Sequence, residues 1–393
     1  MAYIGLDLGS SYTKAAWLEG GRVLWETRVH TPDTVSTPPR YEIDAEAYYR
    51  HVMAVLQPMM AEAKAEGILL STQMHGFVLT DARFQPLTPY VSWQDGLGQA
   101  YLAQIHTLLN EADVRPAGVP LKGNLALCAL LARCLQGFSL PRGALFHTLG
   151  GYIIARLTGR HVCHVTNAAP TGLCDLQSGS WNEALLQKTG LSALRMPKLV
   201  QTMTPVAAYQ GVPVYPDLGD QQVCAFGARP EEEHSLHVNV GTAGLLGAVC
   251  RSFLLDGCES RPYLQPDRYL RTVSGLIGGR QVEAMRQTLP GTQEEAWRMM
   301  TEAPIPAVRA LYRQMADDYA QAAERMQLEV RSLRYSGGCV VKNPALRACI
   351  EKRFALPGEE AIMVCGTWQG MLRLIEGLST SKYSKGAYIH GDL

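Results

Sequence analysis

The sequence predicts an α/β protein of two lobes, on three observations. Its 393 residues exceed what one hydrophobic core comfortably holds. Its first third alternates strand-like, helix-like and strand-like stretches, the pattern of a sheet covered by helices. An apolar strand ending in Gly9-Ser10 is echoed by one ending in Gly241-Thr242, so each lobe is expected to carry a related β-turn-β unit.

In order along the chain, Ala2–Leu8 is an apolar run, Gly9-Ser10-Ser11 a turn and Lys14–Leu18 a second strand. Gly20-Gly21 then turns tightly into Arg22–Val29, completing an antiparallel meander. After a Pro-rich loop, Tyr48, Val52, Val55, Leu56 and Met59 recur at helical spacing, and Ile68–Gln73 returns to strand. Thr202–Pro216 reads as a Pro-punctuated connector, which puts a lobe boundary near Pro216: residues 1–215 on one side, 216–393 on the other. Beyond it Leu236–Val240 and Leu245–Cys250 flank the second turn. Val308, Leu311, Tyr312, Met315, Tyr319, Ala322 and Met326 then form a core-facing helical stripe. Arg334–Gly338 closes as a strand and Asn343–Phe354 as a helix.

Composition narrows the function class. Hydrophobic residues make up 47% and charged residues 18%, which is globular rather than disordered. Lys plus Arg equals Asp plus Glu, 36 against 36, with no long basic run, so nucleic acid is not an expected partner. Asp7 interrupts the first apolar stretch and Lys14 follows, so no signal peptide is expected. The most membrane-like segment, Leu125–Leu135, carries Arg133 and is too short to span a bilayer. The ten cysteines include no CxxC pair. Cys128, Cys134, Cys224, Cys339 and Cys349 sit in apolar or Gly-rich stretches, as buried free thiols of a reducing compartment, the cytoplasm, would. His161, Cys163 and His164 alternate like a strand, which splits them between two faces and argues against a metal site.

The two glycine turns suit a nucleotide triphosphate. Glycine lets backbone N–H groups approach phosphate oxygens, and a Ser or Thr hydroxyl adds a donor. Lys14 offers a cation, and Asp7 a carboxylate that would hold water on Mg²⁺. Either turn alone also reads as an ordinary hairpin, and no GxxxxGK[ST] P-loop occurs. Gly337-Gly338-Cys339 with Asn343-Pro344 fits either a flat adenine ring against backbone or a plain strand-to-helix connector. Asp220, in Gly219-Asp220-Gln221-Gln222, is placed to accept a hydroxyl proton in phosphoryl transfer, and equally to cap a helix. Gln73, Met74 and His75, with Trp93-Gln94-Asp95, supply the polar groups and apolar face that a sugar needs.

Together these pieces resemble the FGGY carbohydrate kinases of the actin/hexokinase/Hsp70 superfamily, over nearly the whole chain and in the family's order. Ile4–Ala15 (IGLDLGSSYTKA) looks like the first phosphate motif, Gln73–Gly76 (QMHG) like a sugar-binding strand end, and Trp93–Asp95 (WQD) like another sugar-side motif. Arg156–Gly159 (RLTG) and Thr166–Asp175 (TNAAPTGLCD) resemble a linking segment. Gly219–Gln222 (GDQQ) matches the segment of the catalytic aspartate. Val240–Gly244 (VGTAG) resembles the second phosphate motif, and Tyr335–Pro344 (YSGGCVVKNP) the adenosine motif. Arg261-Pro262-Tyr263, Gly275–Gly279 (GLIGG) and Trp181-Asn182 look most like sedoheptulose kinases, with xylulose and ribulose kinases as close alternatives. The chain departs from the pattern where Gly96 and Leu97 follow WQD in place of the usual nearby arginine, and Trp368 stands where small residues are usual.

The resemblance implies a two-lobed, actin-like (ribonuclease H-like) fold with a central cleft and an ATP-dependent transfer of phosphate to a small ketose, best matched by sedoheptulose. It implies Asp220 as the catalytic base, and Gln73, Met74, His75 and Asp95 around the sugar. Gly9, Ser10, Ser11, Lys14, Gly241, Thr242, Gly279, Gly337, Gly338 and Asn343 would hold ATP, with Mg²⁺ near Asp7 and Asp220. A homodimer in the cytoplasm is expected, without membrane or nucleic-acid partners. A different class stays open: a non-catalytic nucleotide-binding regulator on the same fold.

Overall fold

The structure, a computed structural model, describes residues 2–62, 64–228, 234–265, 267–358 and 366–379. It divides into two compact units, Met1–Val223 with Met371–Leu393, and Cys224–Gly370.

The first unit is built on a six-stranded sheet of β1 (Tyr3–Leu8), β2 (Tyr12–Glu19), β3 (Arg22–His30), β4 (Ile68–Thr72), β5 (Ala207–Tyr209) and β6 (Val212–Gly219), in the order β5-β6-β4-β1-β2-β3. β1 to β3 form the expected antiparallel meander, while β4 runs parallel to β1 and β6 parallel to β4. All six residues of β1 are buried, as a strand flanked and covered on both sides requires. β3 is the edge strand and is mostly exposed. Helix α1 (Ala45–Glu62) lays Tyr48, Val52, Leu56 and Met59 onto a core shared with Ile4, Leu6, Ile68 and Leu70. A second cluster gathers Phe77, Phe146 and Trp181 around α2 (Ala126–Leu135), while α3 (Leu149–Thr158) packs its Tyr152, Ile153 and Ile154 into the first.

β6 corrects the reading of Thr202–Pro216 as a connector. β5 and β6 form a hairpin, and β6 continues through Pro216 as an inner strand of the sheet. The prolines misled because proline removes a ladder donor. Here Pro216 sits where the β6–β4 register shifts between Val214 and Asp217, a place where a strand tolerates it. The first unit accordingly runs on past Pro216 to Val223, and the boundary lies within α4 (Asp220–Gly227). Of the five cysteines expected inside, Cys128 is buried and the other four are partly exposed; Cys163, Cys174 and Cys258 are buried instead.

The second unit holds a five-stranded sheet of β7 (Ser235–Val240), β8 (Gly244–Cys250), β9 (Glu259–Pro262), β10 (Tyr269–Leu276) and β11 (Ser332–Ser336), ordered β9-β10-β8-β7-β11. β8 pairs antiparallel with β7, and β11 parallel. β2-β1-β4 has the same arrangement, so the repeated β-turn-β unit is present in both sheets. Three helices serve this unit's site: α5 (Gly279–Thr288), α6 (Pro306–Arg325) and α7 (Pro344–Phe354). α6 buries Val308, Tyr312, Met315 and Tyr319 against Leu236, Val238, Leu333 and Ile350. The last described helix, α8 (Gly366–Ser379), begins in the second unit and ends in the first. Among the described residues, no helix is long and apolar enough to cross a membrane.

Candidate active site

In the first unit the site follows from strand register. Leu8 at the end of β1 and Gly219 at the end of β6 both pair with Thr72 at the end of β4. The residues that follow, Gly9, Gln73 and Asp220, therefore emerge side by side at the carboxyl edge of three adjacent parallel strands, where open α/β sheets present their ligands.

Asp7 and Lys14 face each other across β1–β2. The Lys14 ammonium lies 3.1 Å from one Asp7 carboxylate oxygen, and the Ser71 hydroxyl donates to the other, also at 3.1 Å. The Gly9 carbonyl accepts from Thr31 Oγ1 at 3.0 Å and from Gln73 Nε2 at 3.3 Å. Gln73 thus ties the first phosphate-type turn to the end of β4, and its own oxygen accepts from Ser92. Ser10 is partly exposed and Ser11 exposed, so both hydroxyls can reach a ligand. Met74 is buried. His75 is held at φ 69°, a left-handed backbone that non-glycine residues adopt at a cost of about 1–3 kcal/mol. The neighbouring Gly76 packs so tightly that a Cβ there would lie 2.5 Å from the Tyr90 ring and from the Val91 carbonyl.

Tyr48 was read from the sequence only as part of a helical stripe, and Tyr90 was not singled out. Both are fully buried, edge to face at 5.8 Å. Burial pushes both phenols up, and the Tyr90 phenol also feels the Asp220 charge. Asp220 is the first residue of α4, and its carboxylate accepts from the Gln221 amide at 2.8 Å, one residue on rather than the two or three residues of a helix cap.

Asp217, three residues earlier, was not anticipated either. It is fully buried and accepts from the His164 amide, Asn167 Nδ2 and Thr148 Oγ1 at 3.0, 2.8 and 3.0 Å. Burial dominates these bonds and raises its carboxyl to about 6. His161, Cys163 and His164 turn to separate partners: the Phe146 carbonyl, Thr148 and Thr166. Among the described residues no group of three or more His, Cys, Asp or Glu side chains is set for a metal.

Asp95 departs from the sugar-contact expectation in its present bonding. One of its oxygens takes the Tyr41 amide at 2.9 Å and Arg133 at 2.8 Å; the other takes Arg133 at 3.3 Å and the Leu97 amide at 3.1 Å. Arg133 also meets Glu42 at 2.6 Å. The arginine that meets Asp95 thus comes from α2. The signal was available: an arginine inside the otherwise apolar run of α2 demands a buried partner.

The second unit gathers three glycine turns. Gly279 donates to the Gly241 carbonyl at 2.8 Å and the Arg280 amide to the Thr242 carbonyl at 3.1 Å. Gly337, at φ 91°, lies so close to β7 that a Cβ would meet the Val240 carbonyl at 2.6 Å. Gly241, Thr242, Gly279, Arg280 and Glu283 help line a hollow of about 460 Å³. Beneath the turns, Asn239 donates to Ser336 Oγ at 2.7 Å, and His237 shares that hydroxyl at 2.6 Å. Burial drives the His237 imidazole down to about 4, so it is neutral. Gly338 is exposed. Asn343 is fully buried, capping α7 through the Leu346 amide at 3.0 Å and donating to Tyr312 Oη at 2.6 Å. Its side chain therefore supports the adenosine-type turn from behind.

A family model described as the FGGY family of carbohydrate kinases, N-terminal domain, matches residues 2–227. The xylulose kinase of Escherichia coli (strain K12) is 30% identical over 274 residues, 64% of this chain and 55% of that protein. A glycerol kinase of Alkalilimnicola ehrlichii is 30% identical over 312 residues, 72% of this chain and 60% of that protein. The chain thus spans little more than half the length of the relatives it matches in sequence. The crystal structure of a ligand-bound xylulose kinase from Lactobacillus acidophilus superposes with a TM-score of 0.84 at 18% identity, covering 97% of this chain and 92% of that one. At that identity the likeness speaks for the fold alone.

Proposed function

The chain belongs to the FGGY family of carbohydrate kinases and shares its actin-like α/β fold, and from that premise we propose that it transfers the γ-phosphoryl group of ATP to a hydroxyl of a small open-chain sugar or polyol. The observation that carries this reading is the alignment of Gly9, Gln73 and Asp220 at one sheet edge, with the Asp7–Lys14 pair beside them. The relatives' names, xylulose and glycerol kinase, favour a short acceptor, a five-carbon ketose such as xylulose before sedoheptulose.

In this reading Asp220 accepts the proton of the attacking hydroxyl as its oxygen bonds to the γ-phosphorus. The bond from that phosphorus to the bridging oxygen breaks, and ADP leaves. The turns at Gly9–Ser11 and at Gly241-Thr242 offer backbone N–H and hydroxyl donors to phosphate oxygens, and Lys14 offers a cation. The backbone of Gly279, Gly337 and Gly338 borders the nucleoside, with Asn343 holding that turn in place. Gln73, Met74 and His75 face the acceptor, and His75's forced backbone fixes where its imidazole points. Asp95, through Arg133, holds the acceptor-side loop. Mg²⁺ suits hard carboxylate oxygens such as those of Asp7 and Asp220, since it is commonly held by one or two carboxylates with water and phosphate oxygens. When bound, it neutralises phosphate charge.

The test is ADP formation by purified protein with MgATP across xylulose, ribulose, sedoheptulose, gluconate and glycerol. Asp220→Asn should lower turnover about 10²–10⁴-fold while leaving ATP affinity nearly unchanged. Wild-type turnover in that variant would remove Asp220 from its role. Silence of the native protein across the panel, with ATP still bound, would favour the nucleotide-binding regulator.

A further inference from the structure

In the second unit, α6 and α7 line a groove of about 650 Å³ that shares no lining residue with the hollow at the glycine turns. Its chemistry is lopsided. Arg309 and Arg313 stand one turn apart on α6, and Lys352 and Arg353 on the last turn of α7. All four are exposed around a floor that includes buried Tyr312. Among the described residues, Asp317 is the one acidic residue lining the groove, and it is taken by Arg353 at 2.6 Å. Among the described residues, Arg309 and Arg313 donate through Nε alone, to the backbone carbonyls of Pro304 and Arg309. Among the described residues, neither they nor Lys352 meet a carboxylate.

Three cations that meet no carboxylate among the described residues, over a floor that includes Tyr312, match an anion with an apolar body. Guanidinium pairs suit phosphate oxygens in particular, by parallel N–H donation. Tyr312 adds a connection inward. Its hydroxyl accepts from Asn343 and donates to the Met300 carbonyl at 3.0 Å. Asn343 caps the helix that follows Gly337-Gly338, so a ligand pressing on the Tyr312 ring acts on the side chain that supports the adenosine-type turn.

We propose that this groove is a separate, non-catalytic site for a small soluble phosphomonoester with an apolar or aromatic body, and that Tyr312 couples its occupancy to nucleotide affinity. The binding half stands on the groove alone; the coupling half rests on the reading of Gly337–Asn343 as nucleotide-holding. The probes are phenyl phosphate, inorganic phosphate and benzyl alcohol, titrated calorimetrically into the full chain, with ATP affinity measured separately. Phenyl phosphate should bind once per chain, at least tenfold tighter than inorganic phosphate, with no saturable heat from benzyl alcohol. Binding should weaken as salt rises. The double variant Arg313→Glu/Lys352→Glu should lose it at least tenfold, with an unchanged melting curve certifying its fold; Arg313→Gln/Lys352→Gln should fall between. Saturating phenyl phosphate should shift ATP affinity at least threefold in the native chain and leave it unmoved in Tyr312→Phe. Binding that ignores charge reversal, as a probe lodged at the glycine turns would, overturns the site. Phenyl phosphate silence with intact ATP binding overturns it too, and leaves the kinase reading standing. Bound probe without any shift in ATP affinity overturns the coupling alone.

Discussion

Two buried carboxylates near the site can each be tested singly. Asp217 has three donors yet a carboxyl raised to about 6, so its protonated form is the one the fold favours. Between about pH 4 and pH 6 the native state holds a proton that the unfolded chain has released. Its contribution to stability is therefore full below pH 4 and shrinks as pH rises through 6. Asp217→Asn removes that dependence. The stability gap between native chain and variant should narrow by about 2–3 kcal/mol from pH 4 to pH 7, read from urea unfolding at both values; a constant gap would refute the raised carboxyl. Asp95 is paired with Arg133 at 2.8 Å. Arg133→Leu strands Asp95 in the interior and should cost about 3–5 kcal/mol. Asp95→Asn/Arg133→Leu should recover part of that loss, and a double variant as unstable as the sum of the singles would show that the two do not act as a pair.

At the scale of elements, the glycine turns of the second unit depend on contact between backbones. Gly337→Ala places a methyl 2.6 Å from the Val240 carbonyl at a positive φ. It should lower stability by about 1–3 kcal/mol and weaken ATP binding more than it weakens phenyl phosphate binding at the α6–α7 groove. Equal losses at both would mean general loosening. Elements with unbroken periodicity were legible in the sequence: the β1–β3 meander, α1, the α6 stripe, β7 and β8. β6 was not, since its prolines speak against a strand unless the bulge that shelters Pro216 is known. Arg133, read from the sequence only as a charge inside an apolar run, proves to be the partner of Asp95 from 38 residues away. Asp217 and Tyr90 escaped notice because their importance lies in three-dimensional enclosure, which spacing does not encode. Gln73 and Asp220 stood out because each follows an apolar strand, and Asp7 and Lys14 because they flank the first glycine turn.

For the molecule as a whole, α8 matters out of proportion to its length. It starts in one unit and finishes in the other, and Trp368, Met371 and Leu374 are fully buried. Each such side chain contributes about 1.5–3 kcal/mol by burial. A chain ending at residue 365 should therefore melt lower and be cut faster by protease within residues 1–223 as well as 224–358. Protection of the first unit unchanged from the full chain would show that α8 serves only the second. The insertion of β6 beside β4 has a further consequence, in time. β4 is complete at Thr72 and its neighbour only at Gly219, 147 residues later. At roughly 5–20 residues per second of synthesis, the nascent chain carries β4 with one open hydrogen-bonding edge for about 7–30 s. An unpaired edge of that kind invites pairing with other chains, so yield on expression should improve with slower crowding of ribosomes on the message, or with a chaperone that shields strands, more than with any substitution in the finished core.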